Sequence, residues 1–378
     1  MRAPSQEALS QLLRWEPPHG VVSVYVDLQP ADRGEGWRIE LRNGLGAALE
    51  RVRERDGREA RRELEATAKR ILDRFPPEAG HPEGRTQIGF VEVASKPGRE
   101  EWFAVQMRSS PVRVVHDARP VVRPLVTMLD DGAPRGVAAV SAERVRLLRW
   151  ALGTIEELED WGLEIFSLDW RERKAQRAGD PARVQGAKAS GRDQFDQRLE
   201  ANREHFLRQA GRLATQRVQA LDCDELLVLG DAEHVREFAD GAGDGVEVRQ
   251  VDGHNVISAR PHEIAERLEE LLGELNRSRE LELVRRVKDE AHGGTRGAVG
   301  VQETLEALEQ GRVAHLVFDA SLEDGGEPGV LTGEDGGLRL AERLIELALT
   351  TGARVTPVEG EAAEALAEAE GVAGLLRY

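Results

Sequence analysis

Between Arg171 and Arg192 the hydrophobic patterning that runs through the rest of the chain stops. Seven cations (Arg171, Arg173, Lys174, Arg177, Arg183, Lys188, Arg192) face two anions there, Glu172 and Asp180, for a local charge of +5. So long a stretch with almost no apolar side chains returns no burial for the ordering it would need inside a core. It is therefore expected as a mobile, protruding loop, and the segments on either side must complete their domain without it. A long helix is expected directly behind it, because Phe195, Leu199, Phe206, Ala210 and Leu213 step by 4, 7, 4 and 3, one face of a 3.6-residue period.

The flanking segments alternate strand-like and helix-like runs. Val21–Leu28 is rich in β-branched residues and is bracketed by Gly20 and Pro30. Residues 37–75 carry apolar positions at helical spacing and predict two long amphipathic helices, stopped by Pro76-Pro77. Strands are expected over 86–93 and 101–107, and the cluster from Asp130 to Pro134 marks a boundary. Beyond it, 136–140 and 145–152 read as a hairpin, 163–168 as a third strand, 225–229 as a buried strand and 246–251 as another, with helices over 232–239 and 261–288. The last part repeats the alternation: helix 301–310, strand 313–318, an acidic glycine-rich loop over 323–337, helix 338–350, strand 354–358 and a closing apolar run from Gly371. The fold class is therefore α/β, as three α/β domains in series over 1–130, 131–275 and 276–378. The middle one is a mixed sheet with a long helix and the basic loop, and the last an α-β-α sandwich.

The 378 residues suit two or three domains, and 40% apolar content is ample for their cores. No apolar run nears the roughly 20 residues that span a bilayer, and the N-terminus has no secretory apolar region, so a cytoplasmic protein without membrane contact is expected. The net charge of −17 opposes nonspecific wrapping of nucleic acid and leaves the 171–192 stretch as the place for a local basic contact. Arginine outnumbers lysine 47 to 5 along the whole chain, so an arginine here marks phosphate recognition less sharply than usual. One cysteine, Cys223, rules out an internal disulfide and reads as core packing beside a buried strand. The nine histidines show no HxxxH spacing and no glycine-rich phosphate cradle follows a strand, so neither a metal nor a cofactor is expected.

With these parts in order, the chain resembles the archaeal and eukaryotic class-1 peptide chain release factors and their relative Pelota, in a divergent bacterial form. The run GAVGVQETLEALEQGRVAHLVFD (297–319) and the terminal GVAGLLRY are similar to that family's third domain. The hairpin, third strand, loop and long helix resemble its second, and the SVYVDL strand with the helix after it is similar to its first. The resemblance implies a ribosome-associated translation factor whose second-domain loop enters the peptidyl transferase centre and promotes water attack on the ester of peptidyl-tRNA. In the family that loop carries Gly-Gly-Gln. Here the corresponding residues are Lys188-Ala189-Ser190-Gly191-Arg192-Asp193-Gln194, and what remains is Gly191-x-x-Gln194, similar to the loop of the eukaryotic peptidyl-tRNA hydrolases that act on stalled large subunits. The resemblance thus implies Gly191 and Gln194 as catalytic, the seven cations as rRNA-binding, and a peptidyl-tRNA hydrolase of ribosome rescue or quality control. Its alternative is a non-hydrolytic A-site factor of stress or hibernation. It also implies a translational GTPase as partner of the third domain. The same residues read without the family give Ser190 as a helix cap and Asp193 in its first turn.

Overall fold

A computed structural model describes the chain except at Met1, 29–35, 56, 76–83, 109–111, 164–189, 253–255, 294–295 and 323–339, and only the backbone at 53–55, 57, 190–198 and 252. The expected stop at Pro76-Pro77 and the acidic loop 323–337 lie outside the described residues. The chain divides into two compact units, Met1–Gly132 with Glu270–Tyr378, and Ala133–Glu269.

The first unit holds two sheets. Its N-terminal sheet has the antiparallel order β3-β2-β1-β4, built from β1 (Val21–Asp27), β2 (Thr86–Glu92), β3 (Glu100–Val105) and β4 (Arg113–Asp117). Every residue of β1 is buried, which explains its unbroken apolar run: the strand is central and covered on both faces. Val22, Val24 and Val26 pack on Leu41 and Leu45 of α2 (Gly36–Arg55) and on Leu64 and Ile71 of α3 (Gly57–Asp73). On the other face Tyr25 meets Phe90 edge to face and donates its hydroxyl to the Val121 carbonyl at 2.7 Å, while the Ser23 hydroxyl accepts from the Val121 amide. The short α1 (Gln6–Leu13) buries Leu9 and Leu12.

The C-terminal sheet runs β10-β13-β11-β12, from β10 (Gly297–Val299), β11 (Val313–Asp319), β12 (Arg354–Val358) and β13 (Val372–Leu376). One face buries Val317, Val358 and Ala373 against Val284 and Val287 of α7 (Pro261–His292) and against Ala362 and Leu366 of α10 (Gly360–Leu366). The other face is covered by α8 (Val301–Glu309) and α9 (Leu340–Thr350), giving the α-β-α layering.

The helix α4 (Arg123–Asp131) lies along edge strand β12 and is held at both ends. No side chain of its own caps its N-terminus. Instead the buried Glu342 of α9 accepts from the Val122 and Arg123 amides at 3.0 and 3.1 Å, and Arg123 donates to the Leu322 carbonyl. Arg119, just before α4, pairs with Glu16 and Glu346. At the C-terminal end Asn276 donates to Asp131 and Arg279 pairs with Asp130 at 2.7 Å. A carboxylate satisfying two first-turn donors is a charge-assisted cap. Glu342→Ala is expected to lower stability by about 2 kcal/mol, read as a fall in urea midpoint with unchanged slope.

The second unit is a mixed five-stranded sheet, β7-β6-β5-β8-β9. Its members are β5 (Arg135–Val140), β6 (Arg144–Ala151), β7 (Thr154–Gly162), β8 (Glu225–Gly230) and β9 (Glu247–Asp252), with α5 (Ser190–Gln219) and α6 (Ala232–Gly241) packed on one face. β5, β6 and β7 are antiparallel, and β8 and β9 join parallel to β5. The third antiparallel strand of this sheet is β7, at Thr154–Gly162, and 164–168 of the strand expected at 163–168 lies outside the described residues. Leu152 and Gly153 both take positive φ, 49° and 78°, the geometry of a two-residue primed turn that matches strand twist.

Candidate functional site

The residues expected to carry function lie in and behind the basic stretch. Arg171, Arg173, Lys174, Arg177, Arg183 and Lys188 fall outside the described residues. Gly191, Arg192 and Gln194 fall within α5, which begins at Ser190 and not at Phe195. The Gly191-x-x-Gln194 sequence is therefore helical backbone. The first four amides of a helix have no acceptor within it, which here means those of Ser190 to Asp193. They lie at the positive end of the macrodipole, a setting that favours an anion. The amide of Gln194 is the fifth and bonds back within the helix.

α5 has 30 residues, roughly 45 Å of helix. Leu199 to Asn202 are exposed, Leu199 by 38%, although the periodicity placed Leu199 on the apolar face. The first fully buried side chain among those described in α5 is Phe206, roughly 24 Å along from Ser190. From there the helix is anchored. Phe206, Leu207, Ala210, Ala214 and Val218 pack on Ala138 and Val140 of β5, Val145 and Leu147 of β6, and Leu226 and Val228 of β8. They step by 1, 3, 4 and 4 residues, a contiguous helical stripe.

The crossing of α5 and α6 is made by glycines. A Cβ on Gly211 would run into the Phe238 carbonyl oxygen, and one on Gly241 into the Arg208 carbonyl oxygen. Each helix thus lays bare backbone against the other. Thr215 seals the contact, donating to the Gly211 carbonyl at 2.9 Å and accepting from the Gly243 amide at 3.3 Å. Cys223 is buried in the same cluster, and burial pushes its thiol up from the ordinary range, in keeping with a packing role.

A second anchor holds the hairpin edge of the sheet. Arg146 of β6 is 5% exposed and forks onto Glu157 of β7, Nε and Nη2 donating at 2.8 and 3.0 Å. Its Nη1 donates to the Ile257 and Ala259 carbonyls at 3.0 and 2.6 Å. The hydrogen bonds from Arg146 hold the Glu157 carboxyl below the usual carboxylate range. Arg135, on β5, pairs in turn with Glu225, which also receives Arg249. None of these residues stood out in the sequence. A buried bidentate arginine looks like any other among 47 until its carbonyl partners are known.

Among the described residues no group of three or more His, Cys, Asp or Glu side chains is placed to hold a metal ion, and no helix is long and apolar enough to cross a membrane.

Residues 120–272 match the family described as bacterial archaeo-eukaryotic release factor family 10, a segment that takes in α4 and the whole second unit. That middle part of the chain is similar to the bacterial archaeo-eukaryotic release factors. The expected resemblance thus falls where the mixed sheet and the long helix lie. No curated protein matches the chain. Among solved structures, an archaeal translation termination factor, aRF1, is 17% identical, with 100% of this chain and 99% of that one covered and a TM-score of 0.27. Pelota of Archaeoglobus fulgidus is 13% identical over 100% and 94%, with a TM-score of 0.35. Dom34 of S. cerevisiae, described as a translation termination-like factor, is 10% identical over 78% and 80%, with a TM-score of 0.39. At these identities and TM-scores the three likenesses fix neither an activity nor a partner. The chain is a mixed α/β protein, with three sheets among the described residues.

Proposed function

We propose that this protein is a cytoplasmic ribosome-associated translation factor that hydrolyses peptidyl-tRNA in ribosome rescue or quality control. What supports the reading is the family match across 120–272, because it spans the entire second unit and contains the basic stretch. In this reading the three modules are 1–130, 131–275 and 276–378, and the last offers a surface to a translational GTPase. Arg171, Arg173, Lys174, Arg177, Arg183, Lys188 and Arg192 neutralise rRNA phosphates; they position the segment and carry no sequence readout. Water attacks the ester carbonyl, a tetrahedral oxyanion forms, and the ribose oxygen of the tRNA leaves with a proton. The Gln194 side-chain amide serves that attack, and Gly191 lets the backbone come close to RNA.

A second reading, an A-site factor that binds without hydrolysis, is favoured by one observation: Gly-Gly-Gln is absent and Gly191 and Gln194 sit in helical backbone. Single-turnover release of labelled peptide from stalled ribosomes or large subunits separates the two. Release by wild type that slows about 100-fold in Gln194→Ala is expected for the hydrolase. Co-sedimentation with ribosomes without release selects the second reading, and no co-sedimentation at moderate salt removes both.

A further inference from the structure

Where α7 crosses the C-terminal sheet, a polar cluster is shared by four elements. Glu280 of α7 is 6% exposed, and its carboxylate accepts from the Glu359 amide, in the turn between β12 and α10, at 3.1 Å. The charged groups acting on it from α4 are Asp130 and Asp131, and from its own helix Arg279. That guanidinium is 2.7 Å from Asp130. Asn276, one turn earlier on α7, donates to Asp131 at 3.1 Å. The cluster continues through Thr356 of β12, whose hydroxyl lies 3.4 Å from Asp130 and 2.9 Å from the His315 ring of β11. His315 in turn feels Arg354 of β12 and Arg279 and Arg286 of α7.

Two partly exposed carboxylates of α4 thus act on a third, buried one on α7. Like charges at such range oppose joint ionisation, and burial opposes it further. We propose that Glu280 is a proton-operated latch. Protonated, it lets α7 close on the turn into α10 and on the end of α4; ionised, it is repelled by Asp130 and Asp131 and loosens that junction. The direction of the effect follows from linkage. Burial, the largest influence, raises the Glu280 carboxyl from 4.5 to about 7. A raised folded-state value means stability that is complete below 4.5 and lost as the pH climbs through about 7. His315 works at the other end: burial first, then the three arginines, lowers it to about 4, so its stabilising neutral form is lost only as the pH falls toward that value. Between roughly neutral and mildly alkaline pH, Glu280 alone of the two changes charge. The inference is independent of the translation reading.

The test is hydrogen exchange of the Glu359 amide in the full chain at about pH 6 and about pH 8.5, corrected for the intrinsic rate. Protection in wild type is expected to fall about tenfold at the higher pH, whereas Glu280→Gln, which keeps the acceptor and removes the titration, holds its protection within about twofold. Equal protection at both pH values in wild type, or the same fall in the variant, overturns the latch. Should the variant misfold, the carboxyl-carbon NMR shift of Glu280 in wild type decides: a midpoint near 7 is expected, and one at or below the usual glutamate range overturns it.

Discussion

Arg146→Ala is expected to destabilise the second unit by about 3 kcal/mol, the largest loss from any single charged side chain described. The substitution strips the Glu157 carboxylate of its bidentate partner and leaves the Ile257 and Ala259 carbonyls without their donor. Removing one member of a buried pair commonly costs about 3–5 kcal/mol, and the low end applies because Glu157 keeps a third of its side chain in solvent. Glu157→Gln removes the charge but keeps an acceptor, so it should cost roughly half as much or less. Exchange of the β6 and β7 amides in urea measures both. Equal stability of Arg146→Ala and wild type would show that the fork does not hold the edge.

How far this fold could be read in advance depended on where each element finds its partners. β1, β5, β8 and β11 were legible because both faces are covered, which writes a continuous apolar run into the sequence. The edge strand β7 was not foreseen. Its sequence TIEELEDWG is acidic because an edge has to stay soluble, and Leu152 occupies a turn position that usually announces itself with Asn or Gly. β4, α1, α4, β10 and α10 were not foreseen. α4 is the clearest case, because Val122 is a poor capping residue and the real cap is 220 residues away in sequence. No local signal encodes such a cap. The helix α5 was legible from its stripe, yet periodicity ran on to Leu199, which is exposed, and gave no hint that helical backbone reaches back to Ser190. For the site, the basic residues were countable in the sequence, whereas the crossing glycines and Arg146 acquire meaning only from backbone atoms of other segments.

The second large effect is at the helix crossing. Gly211→Val is expected to cost about 3 kcal/mol, because the new side chain meets the Phe238 carbonyl oxygen, and a backbone atom cannot move aside as a flexible side chain would. Relief requires α5 and α6 to separate, which uncovers Phe206, Ala210 and Phe238 together. Gly243→Ala is the matched control: its Cβ would meet only the Thr215 methyl at 3.8 Å, an ordinary contact, and the expected change is within about 0.5 kcal/mol. A urea midpoint for Gly211→Val equal to that of Gly243→Ala would mean the crossing is loose. If α5 does brace the basic segment, the same variant should weaken ribosome co-sedimentation without touching a single cation.

The carboxylate that caps α4 also orders events during synthesis. The second unit is one uninterrupted stretch, 133–269, made complete before Glu270. The N-terminal sheet is made first, but the helix leaving it stays uncapped until position 342 has been polymerised. A unit begun first is therefore completed last, and a nascent chain that stops short of α9 lacks the carboxylate that caps α4.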